Sequence, residues 1–145
     1  MDLTKGLDVS IQLRTQVTQA GEQQEFYFEV PGQVVKIGDT LYIRYKEIQE
    51  DTQAEVPVTI KILPDGAVQL IRGGEGRMRL KFAYREHLES QYRTLHGQFP
   101  ITTYTHNIRF SLKDRPVAGK VVVDYDLYSM NQKIGEYQFT LDFTA

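Results

Sequence analysis

Apolar residues return at every second position through nearly the whole chain, from Leu7 to Phe143. That is the period of a β-strand with one buried face. Tyr137, Phe139, Leu141 and Phe143 fall on one side of the last stretch, and Glu136, Gln138, Thr140 and Asp142 on the other. Val121, Val123, Tyr125 and Leu127 repeat the pattern just before it. The same alternation predicts strands over about Leu7–Gln19, from near Glu25 to Ile37, over Leu41–Ile48 and from Val56 to Ile62. It continues over Ala67–Arg72, Arg77–Ala83, Glu89–Leu95, Ile101–Leu112, Val117–Met130 and Lys133–Thr144. Pro31-Gly32 interrupts the second of these and predicts a sharply coiled strand or a short break. A short helical turn is expected only at Tyr84–Leu88.

Turn signals separate the strands. Leu63-Pro64-Asp65-Gly66 is the strongest, since proline presets the bend and Asp-Gly accepts positive φ. Glu50-Asp51-Thr52-Gln53 reads as a polar loop, and Gly73-Gly74-Glu75-Gly76 as a hairpin turn. A phosphate-cradling loop would need a helix after the glycines, and here a strand follows. Nine or ten short-linked strands imply antiparallel neighbours, so the expected fold is all-β. We expect a single domain, an up-and-down antiparallel barrel of about 9–10 strands with at most one or two short helices. A two-sheet sandwich is the alternative.

Composition changes this picture little. The 145 residues suit one domain, 41% are apolar, and the formal net charge is −2. That charge makes no general case for nucleic acid or a membrane surface. The N-terminus lacks the apolar stretch of a secretory signal, no apolar run is long enough for a membrane span, and there is no cysteine. A cytoplasmic location is expected, with no membrane partner, no cofactor and no thiolate metal site. His87, His96 and His106 lack the i,i+4 pairing of helical zinc sites, so no metal is expected. No acid, base or nucleophile is singled out by spacing, so the chain is not expected to be an enzyme.

Two sets of charged residues carry candidate chemistry. Arg77, Arg79 and Lys81 alternate with Met78, Leu80 and Phe82, which puts three cations on an outer face that Lys61 and Arg85 extend. Such a stripe ordinarily solubilises a strand and blunts an edge, and RNA or protein contact is the alternative. Arg72 is different, because it shares parity with the apolar Val68 and Leu70 and so points inward. Tyr45 and Glu47 continue the inward face of Leu41 and Ile43, and Tyr125 that of Val121 and Val123. An inward arginine among tyrosines and a carboxylate suits an anionic headgroup. It equally suits an internal Arg72–Glu47 ion pair.

The runs Leu41-Tyr42-Ile43-Arg44-Tyr45-Lys46-Glu47, Val58-Thr59-Ile60-Lys61 and Ile71-Arg72-Gly73-Gly74 resemble the YwiB-like family of small Gram-positive bacterial proteins. So do Met78-Arg79-Leu80-Lys81-Phe82, Tyr92-Arg93-Thr94-Leu95-His96-Gly97, Thr103, Tyr125-Asp126-Leu127 and Gly135. The resemblance implies a lipocalin-like, calycin-type barrel and carries no known activity with it. The resulting expectation is an interior that binds a small, partly apolar, anionic ligand, lined by Arg72, Tyr45, Glu47, Thr103 and Tyr125. Thr103 is included although Tyr104, Ile108, Phe110 and Leu112 place the apolar side of its strand on the opposite parity. The alternative is a filled barrel that works through the Arg77, Arg79 and Lys81 face as a protein- or RNA-interaction module. The sequence leaves the oligomeric state and the ligand's identity open.

Overall fold

A computed structural model describes residues 3–48, 53–74 and 76–145. Most of the expected polar loop at Glu50-Asp51-Thr52, and Glu75 of the glycine-rich turn, lie outside the described residues. Ten strands follow one another: β1 (Leu7–Gln19), β2 (Glu22–Ile37), β3 (Thr40–Ile48), β4 (Glu55–Ile62), β5 (Val68–Arg72), β6 (Met78–Phe82), β7 (His87–Thr94), β8 (Gly97–Asp114), β9 (Val117–Ser129) and β10 (Gln132–Thr144).

Chain neighbours pair antiparallel from β1 to β6 and again from β7 to β10, and β10 pairs with β1. The result is a nearly closed antiparallel barrel in meander order. Its register at the β1–β10 closure sets Ile11 against Phe143 and Leu13 against Leu141. The discontinuity lies between β6 and β7. It is spanned by an isolated bridge between Arg77 and Arg93 and by a parallel bridge between Tyr84 and Thr105.

Alternation places one residue in two inside. Ile11, Val34, Ile43, Val58, Ile60, Val68, Val121, Val123, Leu141 and Phe143 are buried and form the centre of the core. Each such side chain contributes about 1.5–3 kcal/mol by leaving water. Leu3 joins this core, and its carbonyl accepts a hydrogen bond from the Lys36 amide at 2.9 Å. It therefore sits at the barrel end that holds the β2–β3 and β4–β5 turns. Arg72 and Glu47, near the far ends of β5 and β3, lie at the other end.

Two expectations are refined. The Pro31-Gly32 pair does not break β2, which is continuous, with Pro31 opposite Ser10 and Gly32 opposite Val9. A Cβ on Gly32 would collide with the Ile11 side chain and lie 2.6 Å from the Arg44 carbonyl oxygen. The glycine thus lets β2 coil tightly over β1 and β3. The expected helical turn at Tyr84–Leu88 does not form. Ala83 to Glu86 is a single reverse turn, closed by the Glu86 amide on the Ala83 carbonyl at 3.0 Å, with Arg85 at positive φ. Positive φ at Arg85 leaves the helical region, and His87 already begins β7.

Candidate functional site

The hairpin logic that ends β5 at Arg72 brings it opposite Val58 on β4 and Met78 on β6. Its side chain turns to the inner face, as the parity of Val68 and Leu70 requires. There the Arg72 Nη2 donates to Glu47 Oε1 at 2.8 Å. The pair is partly solvated, with the arginine side chain 39% exposed and the glutamate 21%. Arg72 Nε is buried and has no hydrogen-bond partner among the described residues.

Tyr45 and Tyr125 are buried. Burial pushes the Tyr45 phenol well above its ordinary value, the Glu47 carboxylate adds to the rise, and the Arg72 guanidinium opposes it. Burial raises Tyr125 as well, with the neighbouring Tyr137 adding and Arg72 again opposing. Arg72 therefore lies within electrostatic reach of both tyrosines. Tyr125 stacks on Tyr137 with centroids 5.1 Å apart and tilts against Phe82 at 4.6 Å. Tyr45 meets Phe28 at 6.4 Å.

Thr103 also faces inward and is fully buried, against the parity suggested by the second half of its strand. The reason is a β-bulge between Thr105 and Asn107, which shifts the register of β8 against β9. An extra residue reverses the face of everything beyond it. Ile101, Thr103 and Thr105 point in before the bulge, and Ile108 packs on the core after it. The Thr103 hydroxyl donates to the Lys81 carbonyl and so ties β8 to β6.

Above the Arg72–Glu47 pair lies a depression of about 600 Å³ at the barrel mouth. Its wall includes Arg72, Met78, Tyr92, Thr94, His96 and the backbone of Gly73 and Gly74. Of the five residues expected to line a cavity, Arg72 alone reaches this wall. Glu47 reaches it through Arg72, whereas Tyr45, Tyr125 and Thr103 do not line it. Tyr92 and His96 carried no parity signal as site residues. They arrive through the β7–β8 hairpin, which folds over the mouth.

The outer stripe is as expected for Arg77, Arg79 and Lys81, which line a surface groove with Arg93, Glu89, Ser90 and Gln91. Lys61 shares the outer face of Lys81 across Gln69, but neither it nor Arg85 lines the groove. Lys61 lies over the Tyr42 ring at 5.5 Å and Arg85 over Tyr84 at 5.4 Å. On another part of the wall the β8 bulge presents His106 to Asp126, Nε2 to Oδ2 at 2.8 Å, with Lys133 Nζ 3.7 Å from the same oxygen. Among the described residues, no three His, Cys, Asp or Glu side chains group closely enough to hold a metal ion. No helix of the described residues is long and apolar enough to cross a membrane.

Comparisons with known proteins fit this barrel. A family model described as a domain of unknown function, DUF1934, matches residues 11–141. No curated protein matches the chain. The crystal structure of the ywiB protein from Bacillus subtilis superposes with a TM-score of 0.84 at 18% sequence identity. The match covers 98% of this chain and 94% of that one. At that identity the likeness speaks for the fold.

Proposed function

The chain belongs to the DUF1934 family, and on that premise we propose that it is a non-enzymatic, lipocalin-like binding protein for a small, partly apolar anion. The ligand enters the mouth at the Arg72 end. Its negative group meets the Arg72 guanidinium, and its apolar part lies against Met78 and Tyr92.

The observation that carries this reading is the state of Arg72. The guanidinium cannot shed its charge at physiological pH, so each buried donor calls for an acceptor. Glu47 satisfies Nη2, yet the buried Nε stays without a partner among the described residues. A purely structural ion pair in a well-packed interior ordinarily satisfies the whole fork. The adjoining depression of about 600 Å³ lies within the range of small-molecule sites.

The test is native mass spectrometry of the protein purified from its own host, compared with Arg72→Met purified in the same way. A co-purifying anion present on the first and lost from a folded second supports the reading. A wild-type chain that carries no small molecule, or a ligand retained equally by both, removes it.

A further inference from the structure

We propose that the groove along the β6–β7 seam is a second, independent anion site, built for a chain of linked phosphoryl groups. It lies on the outer wall, and Arg72 does not line it.

The seam groove encloses about 400 Å³ and is walled by Arg77, Arg79, Lys81, Glu89, Ser90, Gln91 and Arg93. Four cations against one carboxylate leave this wall strongly positive on a chain whose net charge is −2. None of the four has an ion-pair partner among the described residues. The backbone also holds two of them face to face. The Arg77 amide donates to the Arg93 carbonyl at 2.8 Å and the Arg93 amide to the Arg77 carbonyl at 2.9 Å, so the two guanidinium side chains emerge from directly paired positions. Like charges directly opposite across two strands are destabilising, and an anion between them reverses the sign of that contact.

The shape of the wall selects the ligand. Arg77, just before β6, alternates with Arg79 and Lys81 on it, so the side chains recur roughly every 6.7 Å along extended chain. A linear anion with a charge on each unit matches such a row better than one compact ion. Arginine forks grip phosphoryl oxygens in pairs. Among the described residues, no aromatic or aliphatic side chain lines the groove. A nucleic acid would find no ring for its bases, and an acidic peptide no pocket for its side chains. A bare oligophosphate needs neither.

Titration of the full chain with tripolyphosphate, read by calorimetry at low and physiological salt, tests the idea. We expect saturable binding at least tenfold tighter than orthophosphate, weakening as salt rises. Arg79→Gln with Arg93→Gln should reduce it tenfold or more. Lys113→Gln with Lys120→Gln, the same loss of two charges on β8 and β9 away from the groove, should change it little. Circular dichroism and thermal unfolding establish that each variant is folded. Absence of saturable binding, equal affinity for orthophosphate, no loss in the folded Arg79/Arg93 variant, or tighter binding of a single-stranded RNA or polyglutamate overturns the proposal.

Discussion

The Thr103 hydroxyl donates to the Lys81 carbonyl, and this bond joins β8 to β6 where the sheet itself is not continuous. The backbone bridge between Arg77 and Arg93 holds one end of the seam, and the Arg85 amide on the Thr105 carbonyl, 2.8 Å, holds the other. Thr103 lies between them and is fully buried. Thr103→Val keeps the side-chain shape and removes the donor. We expect a loss of about 1–3 kcal/mol, the cost of stranding a buried acceptor. The urea midpoint should fall with an unchanged slope. Thr103→Ser should recover most of the loss, and hydrogen exchange should quicken in β6 and β7 before the β1–β10 closure.

How the barrel closes was only half legible in the sequence. Parity placed Leu41, Ile43, Tyr45 and Glu47 on one inner face because their strand has no bulge, and the structure keeps them there. Thr103 escaped the same argument because a single extra residue at Thr105/Asn107 divides β8 into halves of opposite parity. Nothing local in Thr105-His106-Asn107 announces that residue. Arg93 is a similar case. Its strand neighbours mark it as a surface residue, and only the long-range bridge to Arg77 makes it part of the basic groove. The Arg72–Glu47 contact was legible, since both parities are set by their own strands. The unpartnered Nε was not, because it depends on the distance and angle of one side chain to another.

Gly119 is the second point of very close approach. A Cβ there would collide with the ring of Phe143, its partner residue on β10. Phe143 is fully buried at the core centre and has no room to withdraw. Gly119→Ala should cost about 1–3 kcal/mol through overpacking, and Gly32→Ala more, because one of its obstacles is a backbone oxygen. Gly21→Ala is the useful contrast. It meets no neighbour within 4 Å and strains only the positive φ of a surface turn. Thermal unfolding should rank Gly32 above Gly119 and Gly119 above Gly21.

The buried tyrosines predict an alkaline limit to stability. Tyr45 and Tyr125 are both held protonated in the fold, chiefly by burial, while their unfolded value is about 10. A folded value raised above the unfolded one contributes stability that is fully present below the unfolded value. That contribution is lost as pH climbs from there towards the folded value, because the unfolded chain releases the protons first. Stability should therefore be flat from neutrality to about pH 9 with respect to these groups and decline above about pH 10. Absorbance titration should show two tyrosines, Tyr45 and Tyr125, ionising only with unfolding. Tyr45→Phe with Tyr125→Phe should flatten the alkaline decline, and an unchanged pH profile in that variant would falsify the assignment.

The ion pair at the mouth gives the final prediction. Breaking a fully buried pair costs about 3–5 kcal/mol, because the remaining charge is stranded. Here Arg72 is 39% exposed and Glu47 21%, so water screens the survivor. The single changes Arg72→Met and Glu47→Gln should accordingly cost no more than roughly 1–2 kcal/mol each, and leave the barrel folded. The two should not be equal. Losing the Glu47 charge leaves a guanidinium whose buried Nε is also unpaired among the described residues, whereas Arg72→Met removes that unpaired donor together with the charge. Glu47→Gln should thus be the more damaging change. It should also be rescued by millimolar concentrations of an anion that enters the mouth, because such an anion supplies the missing partner. The double variant Arg72→Met with Glu47→Gln should be more stable than Glu47→Gln alone, with a coupling measured in a double-mutant cycle from urea unfolding. Additivity of the two losses would mean that the 2.8 Å contact contributes nothing, and that Arg72 is held by packing alone.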